Sequence, residues 1–295
     1  MIRKMMFQIF DSQLRTVENQ QKEPGFLEFE SKVQVKREIP YGKKKGQTYD
    51  FIVSGGTEQA GKLPLIVNIH GGAFTGGDKA CNLKYGCWLA EQGFQTALLN
   101  YRLVPKVNLK EQIRDAAAGI LAAWKRCPES PCLYLTGDSS GSYLVNLLCC
   151  IWENPEEKRR FGVKLPDVPV TAAGLTGPPG SINLFPAAMV PFCRENRRML
   201  LDGCPELDGY LDLKKLWNSR VPPLFLISCE GDPCYRRCLA QEAWIKRQGG
   251  RVESAYCRKK ADGKLFHCFN VIRPDLECSR RVNGAMVDFF RKCAS

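Results

Sequence analysis

One serine lies in a setting that suits a nucleophile. The segment Gly137–Gly141 reads GDSSG, a G-x-S-x-G spacing with Ser139 at its centre. It follows an apolar run typical of a strand, Leu133–Thr136, and precedes an apolar run of helical length, Tyr143–Trp152. A sharp turn between strand and helix raises a serine hydroxyl above the sheet, and the two glycines leave room for that turn. The motif alone also fits an ordinary tight turn, so its assignment depends on what accompanies it.

A glycine-rich loop could stabilise a negatively charged oxygen. The segment His70–Phe74 reads HGGAF and follows an apolar run that ends at Ile69. Adjacent glycines let backbone N–H groups approach a substrate closely, and such donors stabilise the tetrahedral intermediate of acyl transfer. A glycine turn after a strand is common by itself. Its place one βα unit before the GDSSG segment favours an oxyanion loop.

The choice of a general base is narrow because the chain has only two histidines, His70 and His267. His70 belongs to the HGGAF loop. His267 lies in a loop after the last predicted strand and before the terminal helix. A lone histidine is more often structural, but imidazole has the pKa that base catalysis near neutral pH needs. We therefore predict that His267 is the base.

The acid that orients the base should follow a strand between the serine and the histidine. Asp232 comes just after the apolar run Leu224–Ser228, and open α/β sheets build their sites at the carboxyl ends of strands. Glu230 is a weaker competitor. Asp262 is followed by glycine, which predicts a hairpin turn. Asp232 is the predicted acid.

The order Ser139, Asp232, His267 and several short motifs resemble the hormone-sensitive-lipase-like carboxylesterases of the α/β-hydrolase superfamily, and more closely their feruloyl/acetyl-esterase-like branch. The resemblance runs from about residue 35 to the C-terminus. Besides HGGAF and GDSSG, the motifs are IPYG at 39–42, GDK at 77–79, NYRLVP at 100–105, GDP at 231–233 and FHCF at 266–269.

This resemblance implies an α/β-hydrolase fold and an oxyanion hole. By likeness to the family, the donors are the backbone N–H groups of Gly72, Ala73 and Ser140, while Gly71 shapes the loop. Ala73 replaces a frequent third glycine, which leaves the backbone donor in place.

Two other departures from the family concern side chains. Phe74 stands where relatives often carry tryptophan, so we expect a substrate-binding role for Phe74 and a different width of the acyl pocket. Cys268 replaces a frequent glycine after the histidine, and we expect it to restrict the His267 loop.

Apolar runs of strand length alternate with helical segments, which predicts one α/β domain over residues 1–295 with a mostly parallel, doubly wound sheet. The predicted strands are Gln47–Val53, Leu63–Ile69, Phe94–Asn100, Cys132–Thr136, Val168–Leu175, Pro223–Cys229 and Arg251–Cys257. The predicted helices are Leu83–Gln92, Gln112–Lys125, Ser140–Trp152, Leu239–Gln248 and Ser279–Lys292.

One segment interrupts this alternation. Residues 178–221 lie between two predicted strands and are too long for an ordinary crossover connection. The segment is rich in apolar residues, with helical patches near Phe192–Leu200 and Leu211–Trp217, which favours a helical lid before the acid-bearing strand. Large side chains of the lid are expected to wall the acyl site: Leu184, Phe185, Met189 and Phe192.

Charge and hydropathy limit the partners. The net charge is +12, yet the basic clusters are scattered among acidic residues and no nucleic-acid-binding motif accompanies them. No apolar run approaches the roughly 18 residues of a membrane span. A small-molecule substrate is therefore expected, with neither nucleic acid nor membrane insertion.

The fifteen cysteines show no C-x-x-C pair, and two histidines cannot complete an ordinary zinc site. The N-terminus lacks the features of a secretory signal. We expect free thiols, no metal or other cofactor, and a cytoplasmic location. Cys149 and Cys150 lie on a predicted buried helix, where cysteine acts as a small apolar residue.

The expected activity is hydrolysis of short-acyl, acetyl-like esters through a covalent acyl-enzyme. An arylformamidase is the nearest alternative, because those enzymes share the HGG loop and the triad. A non-catalytic ligand receptor on the same fold is a distant one, since such receptors lose the catalytic histidine and His267 is present.

Overall fold

An eight-stranded sheet forms the centre of the computed structural model, which describes residues 31–55, 62–182 and 190–295. The strands are Val33–Pro40 (β1), Thr48–Ser54 (β2), Leu65–Ile69 (β3), Gln95–Leu99 (β4), Leu133–Asp138 (β5), Ala172–Thr176 (β6), Leu224–Cys229 (β7) and Val252–Cys257 (β8). Their order across the sheet is β1-β2-β4-β3-β5-β6-β7-β8. β2 is antiparallel to both of its neighbours, and all other pairs are parallel. The mostly parallel sheet predicted from the sequence is confirmed.

Helices cover both faces of this sheet. They are Leu83–Glu91 (α1), Leu109–Arg126 (α2), Ser140–Ile151 (α3), Pro155–Phe161 (α4), Val190–Leu200 (α5), Tyr235–Arg247 (α6), Lys259–Asp262 (α7), Phe269–Ile272 (α8) and Glu277–Ala294 (α9). Strand β3 shows why both faces must be covered, because all five of its residues are buried. Val67 belongs to the core cluster that includes residues of α2 and α3, and Ile66 to the cluster that includes residues of α1 and α9. The doubly wound arrangement follows from this two-sided burial.

Several boundaries differ from the sequence predictions. The edge strand β1 was not predicted, because its charged residues leave little apolar alternation and a bulge interrupts its register with β2. Helix α2 begins three residues earlier than predicted, where the side chains of Asn108 and Glu111 form a capping box. The short helix α4 was also missed, although Asn154 caps it and Gly162 ends it in a left-handed conformation.

The insertion between β6 and β7 is helical in part. Helix α5 matches one predicted patch, while the predicted patch at Leu211–Trp217 is replaced by 3₁₀ turns at Pro205–Leu211 and Leu213–Lys215. The side chains of Leu207 and Leu211 are fully buried in the main core. This half of the insertion therefore packs as part of the domain, and the lid role of residues 178–221 stays a prediction.

Candidate active site

The GDSSG segment forms a strained turn between β5 and α3. Ser139 has φ 51° and ψ −119°, a conformation that side chains rarely adopt. A Cβ on Gly141 would lie 2.0 Å from the carbonyl oxygen of Ile69, and a Cβ on Gly137 would lie 2.6 Å from the carbonyl carbon of Gly141. Both glycines are thus required by close backbone contacts. The predicted strand–turn–helix setting of Ser139 is present in the structure.

His267 and Asp232 are hydrogen-bonded to each other. The distance from His267 Nδ1 to Asp232 Oδ1 is 2.8 Å. Asp232 is buried, and its carboxylate accepts two further hydrogen bonds, from the backbone N–H of Cys234 to Oδ1 (2.7 Å) and from the hydroxyl of Ser228 to Oδ2 (3.1 Å). Three donors therefore hold a buried carboxylate against the imidazole. Such a contact fixes the Nδ1–H tautomer and leaves Nε2 available as a base.

Gly177, directly after β6, connects this pair to the serine. The backbone N–H of Ser139 donates to the carbonyl of Thr176 at 2.8 Å. A Cβ on Gly177 would lie 2.7 Å from Cε1 of His267 and 2.9 Å from Oδ2 of Asp232. Two consecutive residues, Thr176 and Gly177, thus contact the serine turn and the acid–base pair respectively, with φ +53° at Gly177. Gly177 is a packing requirement that the sequence analysis missed, and the catalytic roles of the three residues stay a prediction.

The competing carboxylates face other partners. Glu230 accepts a hydrogen bond from the backbone N–H of Lys259 at 2.7 Å and lies 3.7 Å from the guanidinium of Arg258. Asp262 is the last residue of the short helix α7 and pairs with Arg281, so the predicted hairpin turn at this position is wrong. Among the described residues, β8 is the edge strand on this side of the sheet, and the short helix α7 follows it in the chain.

The HGGAF loop lies against the elbow in an unusual conformation. Three consecutive residues have positive φ: 119° at Gly72, 53° at Ala73 and 68° at Phe74. The N–H of Gly71 donates to Oδ2 of Asp138 at 3.1 Å, so this N–H is occupied and cannot serve an oxyanion. A Cβ on Gly71 would lie 3.1 Å from Cβ of Ser139. Gly71 therefore shapes the loop at the serine, as the family resemblance implies, and the next amides are those of Gly72 and Ala73.

Asp138, the residue before the nucleophile candidate, anchors this loop. Its second oxygen, Oδ1, accepts a hydrogen bond from Nδ2 of Asn82 at 2.7 Å. Asn82 also donates to Asn68 at 2.8 Å, and Asn68 donates to Thr136 at 3.1 Å. This chain of buried polar groups ties the elbow to the segment after the oxyanion loop. The sequence analysis assigned no role to Asp138 or Asn82.

Helix α5 of the insertion contacts the oxyanion loop directly. Nδ2 of the buried Asn196 donates to the carbonyl of Ala73 at 2.8 Å. Phe74 is buried, and its ring packs edge-to-face on Tyr143 with centroids 5.5 Å apart. Its substrate-binding role stays a prediction, because the side chain is buried. The predicted wall residues Leu184, Phe185 and Met189 lie outside the described residues, as does the side chain of Phe192.

Burial and charge set the protonation of the site. Burial lowers the pKa of His267, but the hydrogen bond and charge of Asp232, together with the charge of Asp138, raise it above the ordinary value of 6.5. Burial raises the pKa of Asp138, although its hydrogen bond from Asn82 opposes the rise. For His70, burial lowers the pKa, so this second histidine is neutral and stacks on the ring of Tyr101. His267 is thus the histidine that can gain a proton during a reaction.

Metal binding at the site is opposed by its chemistry. Asp232, Cys234 and His267 have potential ligand atoms within 4.8 Å of one another. Burial raises the pKa of the Cys234 thiol to about 12, and a protonated thiol is a poor ligand because the thiolate binds the metal. Nδ1 of His267 is also already bonded to the carboxylate. The residues of this group fit an acid–base pair better, and the absence of a metal stays a prediction.

Comparisons with known proteins agree with this geometry. The family model described as BD-FAE matches residues 53–164, which span the oxyanion loop and the elbow. The isoprenylcysteine alpha-carbonyl methylesterase of Arabidopsis thaliana is 33% identical over 133 residues, covering 41% of this chain and 30% of the relative. The kynurenine formamidase of Salmo salar is 24% identical over 110 residues, covering 37% of each chain. The matched stretch is thus about a third of the length of these curated relatives.

A solved structure covers far more of the chain. Esterase B from Lactobacillus rhamnosis, in a crystal structure with a tributyrin phosphonate inhibitor, superposes with a TM-score of 0.84 at 26% identity. The alignment covers 89% of this chain and 86% of that one.

The sheet order, the strained serine turn and the acid–base loops define an α/β hydrolase. An esterase that aligns over 89% of the chain and the matched family model agree with this class. The chain is similar to the α/β-hydrolase carboxylesterases of the hormone-sensitive-lipase-like type.

No helix within residues 31–55, 62–182 and 190–295 is both long enough and apolar enough to cross a bilayer.

Proposed function

We propose that this chain hydrolyses short-acyl carboxylic esters with Ser139 as nucleophile, His267 as general base and Asp232 as the orienting acid. The observation that carries the proposal is the 2.8 Å contact between His267 Nδ1 and Asp232 Oδ1 next to the strained turn at Ser139. A neutral side chain could fill the same buried position in the fold, so the negative charge of Asp232 calls for a functional reason. Beside an imidazole it stabilises the cation that forms when a serine proton is removed.

In the proposed mechanism, the hydroxyl of Ser139 attacks the ester carbonyl while Nε2 of His267 takes the proton. His267 then returns this proton to the leaving alcohol, which departs and leaves an acyl-enzyme. A water molecule, deprotonated by His267, attacks the acyl-enzyme and releases the acid. Asp232 holds the tautomer of the imidazole and stabilises the cation that forms on it.

The negative oxygen of each tetrahedral intermediate is assigned to the backbone N–H groups of Gly72, Ala73 and Ser140. Ser140 is the first residue of α3, where backbone N–H groups have no partner within the helix and the helix dipole favours negative charge. The positive φ angles of Gly72 and Ala73 give the loop its path beside the serine. Donors fixed in advance stabilise developing charge without reorganisation, and each is worth about 3 kcal/mol of barrier.

The proposed substrate class follows from the relatives. Esterase B was crystallised with a tributyrin phosphonate, a C4 acyl analogue, which favours a short acyl group. The plant relatives are methylesterases, in which the small group is the leaving alcohol, so their names do not bear on acyl length. A panel of p-nitrophenyl esters from acetate to decanoate should give the highest kcat/KM at acetate or butyrate. Highest turnover at decanoate would contradict the short-acyl proposal.

A formamidase activity is the second candidate, because the salmon kynurenine formamidase is a relative. The same serine, base and oxyanion donors can cleave a formamide. Turnover of N-formylaniline compared with phenyl acetate separates the two, and we expect phenyl acetate to be preferred. A non-catalytic receptor on this fold is disfavoured by the intact His267–Asp232 pair.

A reducing compartment such as the cytoplasm is also proposed, from the thiols. All fifteen cysteines are free in the structure, and eleven of them are buried, including Cys149 and Cys150 on α3. Burial raises the pKa of Cys150 to about 12, so its thiol is unreactive in the folded state. Thiol titration of denatured protein from its native host should find nearly all fifteen reduced. Several disulfides in that material would contradict the proposed compartment.

A further inference from the structure

A cavity lies between helices α3 and α6. Its volume is about 90 Å³, and one wall is the loop Pro179–Ser181. Neither Asp232 nor His267 lines it, and α6 is joined to the start of this loop by the thiol of Cys238, 3.7 Å from the carbonyl oxygen of Pro178. The exposed Lys214 lies on the rim, so the cavity opens to the surface on that side.

Two amide side chains in the cavity wall have unused acceptors. Asn146 on α3 is 2% exposed, and Gln241 on α6 is 8% exposed. Neither Oδ1 of Asn146 nor Oε1 of Gln241 has a hydrogen-bond partner within the described part of the chain. A buried acceptor that lacks a partner costs about 1–3 kcal/mol, so two such acceptors at one cavity favour a bound group that donates to them.

The rest of the wall narrows the chemistry of that ligand. The guanidinium of Arg237 lines the cavity too, which adds donors to the two acceptors. A hydroxyl group both donates and accepts a hydrogen bond, and so it matches both kinds of partner. Most of the remaining wall is apolar, including Trp217 and Trp244, whose rings meet edge-to-face at 5.5 Å. The carbon atoms of a ligand can pack against these tryptophan rings, whereas a water molecule has no apolar surface to do so.

We propose that this cavity binds a two-carbon diol, with hydroxyl groups donating to Asn146 and Gln241. The volume holds roughly four non-hydrogen atoms, since a cavity of about 150 Å³ accommodates benzene, which has six. Carbons of the diol pack on the tryptophan rings. This site is separate from the ester-cleaving residues and does not depend on the proposed function.

The test measures binding of ethane-1,2-diol to the full chain by saturation-transfer NMR, at concentrations up to about 100 mM. 1-Propanol has the same four non-hydrogen atoms but one hydroxyl, and it should bind roughly fivefold more weakly, since each lost hydrogen bond is worth about 1 kcal/mol. Asn146→Leu and Gln241→Leu should each weaken binding of the diol by a similar factor. Gln248→Leu, on the exposed residue after the end of α6, is the matched control and should bind as the wild type does.

Thermal unfolding and the rate of p-nitrophenyl acetate hydrolysis confirm that the leucine variants fold, since neither residue touches the catalytic groups. If they do not fold, the comparison of ethane-1,2-diol with 1-propanol on the wild type decides. Equal binding of the two alcohols, or a diol signal that persists in both folded leucine variants, would overturn the proposal. The absence of any diol signal would overturn it as well and leave a cavity that holds water only.

Discussion

The catalytic edge and the insertion between β6 and β7 are held in place by different means. The catalytic edge consists of the loops 70–74, 137–141, 230–234 and 266–269, and buried hydrogen bonds fix its side chains and backbone. The insertion, residues 178–221, packs mainly through apolar side chains in the part that the structure describes, and there Asn196 donates a hydrogen bond to the carbonyl of Ala73 in the oxyanion loop. Chemistry that needs fixed geometry is thus assigned to the first region, and pocket shape to the second.

Substitution of the acid gives the largest effect expected within this comparison. Asp232→Asn keeps the size of the side chain but removes the negative charge and introduces an NH₂ donor, so the imidazole loses its fixed tautomer and kcat against p-nitrophenyl acetate should fall by about 10⁴. The apparent pKa of His267 should fall as well, since the hydrogen bond and charge of Asp232 hold it above 6.5.

Glu230→Gln is the matched control for the acid. Glu230 bonds to the backbone of Lys259, away from the imidazole, and the variant should retain wild-type kcat. If Glu230→Gln proved the more damaging change, the carboxylate assignment would be wrong.

The second-largest loss of kcat is expected from substitution of Asp138, which anchors the oxyanion loop. The carboxylate of Asp138 accepts from Gly71 N–H and from Asn82, and an asparagine there would place an NH₂ group against one of these donors. Asp138→Asn should therefore lower kcat by roughly 10- to 100-fold with little change in KM, the pattern of a lost transition-state interaction.

A pH profile separates positioning by Asp138 from a merely structural role. Protonated His267 is inactive, so kcat/KM of the wild type should rise with pH through an apparent pKa above 6.5. The charge of Asp138 contributes to that elevation, and Asp138→Asn should move the rise to lower pH. An unchanged profile would limit Asp138 to holding the loop, and Asp262→Asn, on a surface pair, is the control.

A smaller loss of kcat is expected from substitutions where the insertion contacts the oxyanion loop of the catalytic edge. Asn196→Ala removes one neutral hydrogen bond to the oxyanion loop, worth about 1 kcal/mol, and should lower kcat by roughly fivefold. Asn218→Ala, which alters the same insertion at a bond to the carbonyl of Cys150, should leave kcat unchanged. Equal losses in both variants would mean that the insertion acts through stability alone.

The smallest effect on acetyl-ester turnover is expected from the insertion's large apolar residues. Phe185→Ala and Phe192→Ala should shift the preferred acyl length upward, since each buried CH₂ is worth about 0.8 kcal/mol, while acetyl turnover persists. Profiles of rate against acyl length identical to that of the wild type would show that these side chains only pack the insertion onto the core.

How far the sequence predicts the site depends on how local its constraints are. The turn at Ser139 demands glycines on either side at fixed spacing, and the acid and base follow strands that apolar runs reveal. These demands are visible within a few residues. The contacts of Asp138 with Gly71 and Asn82 join residues 67 and 56 positions apart, and that of Asn196 with Ala73 joins residues 123 apart. Such partners depend on the tertiary fold, which no local pattern reveals.

The backbone conformation of Cys268 is likewise not visible in the sequence. The sequence shows only that a cysteine stands where relatives often have glycine. The structure gives it φ 59° and ψ 26°, a left-handed conformation that costs a non-glycine residue about 1 kcal/mol, and buries its side chain. The expected restriction of the His267 loop therefore has a physical basis in backbone strain.

Labelling with an organophosphate tests the central assignment most directly. Diisopropyl fluorophosphate should inactivate the protein with one adduct per chain, and peptide mass spectrometry should locate that adduct on Ser139 and leave Ser140 unmodified. Ser139→Ala should take up no label and lose activity by a factor on the order of 10³ or more while remaining folded. An adduct on Ser140, or full esterase activity in Ser139→Ala, would contradict the account.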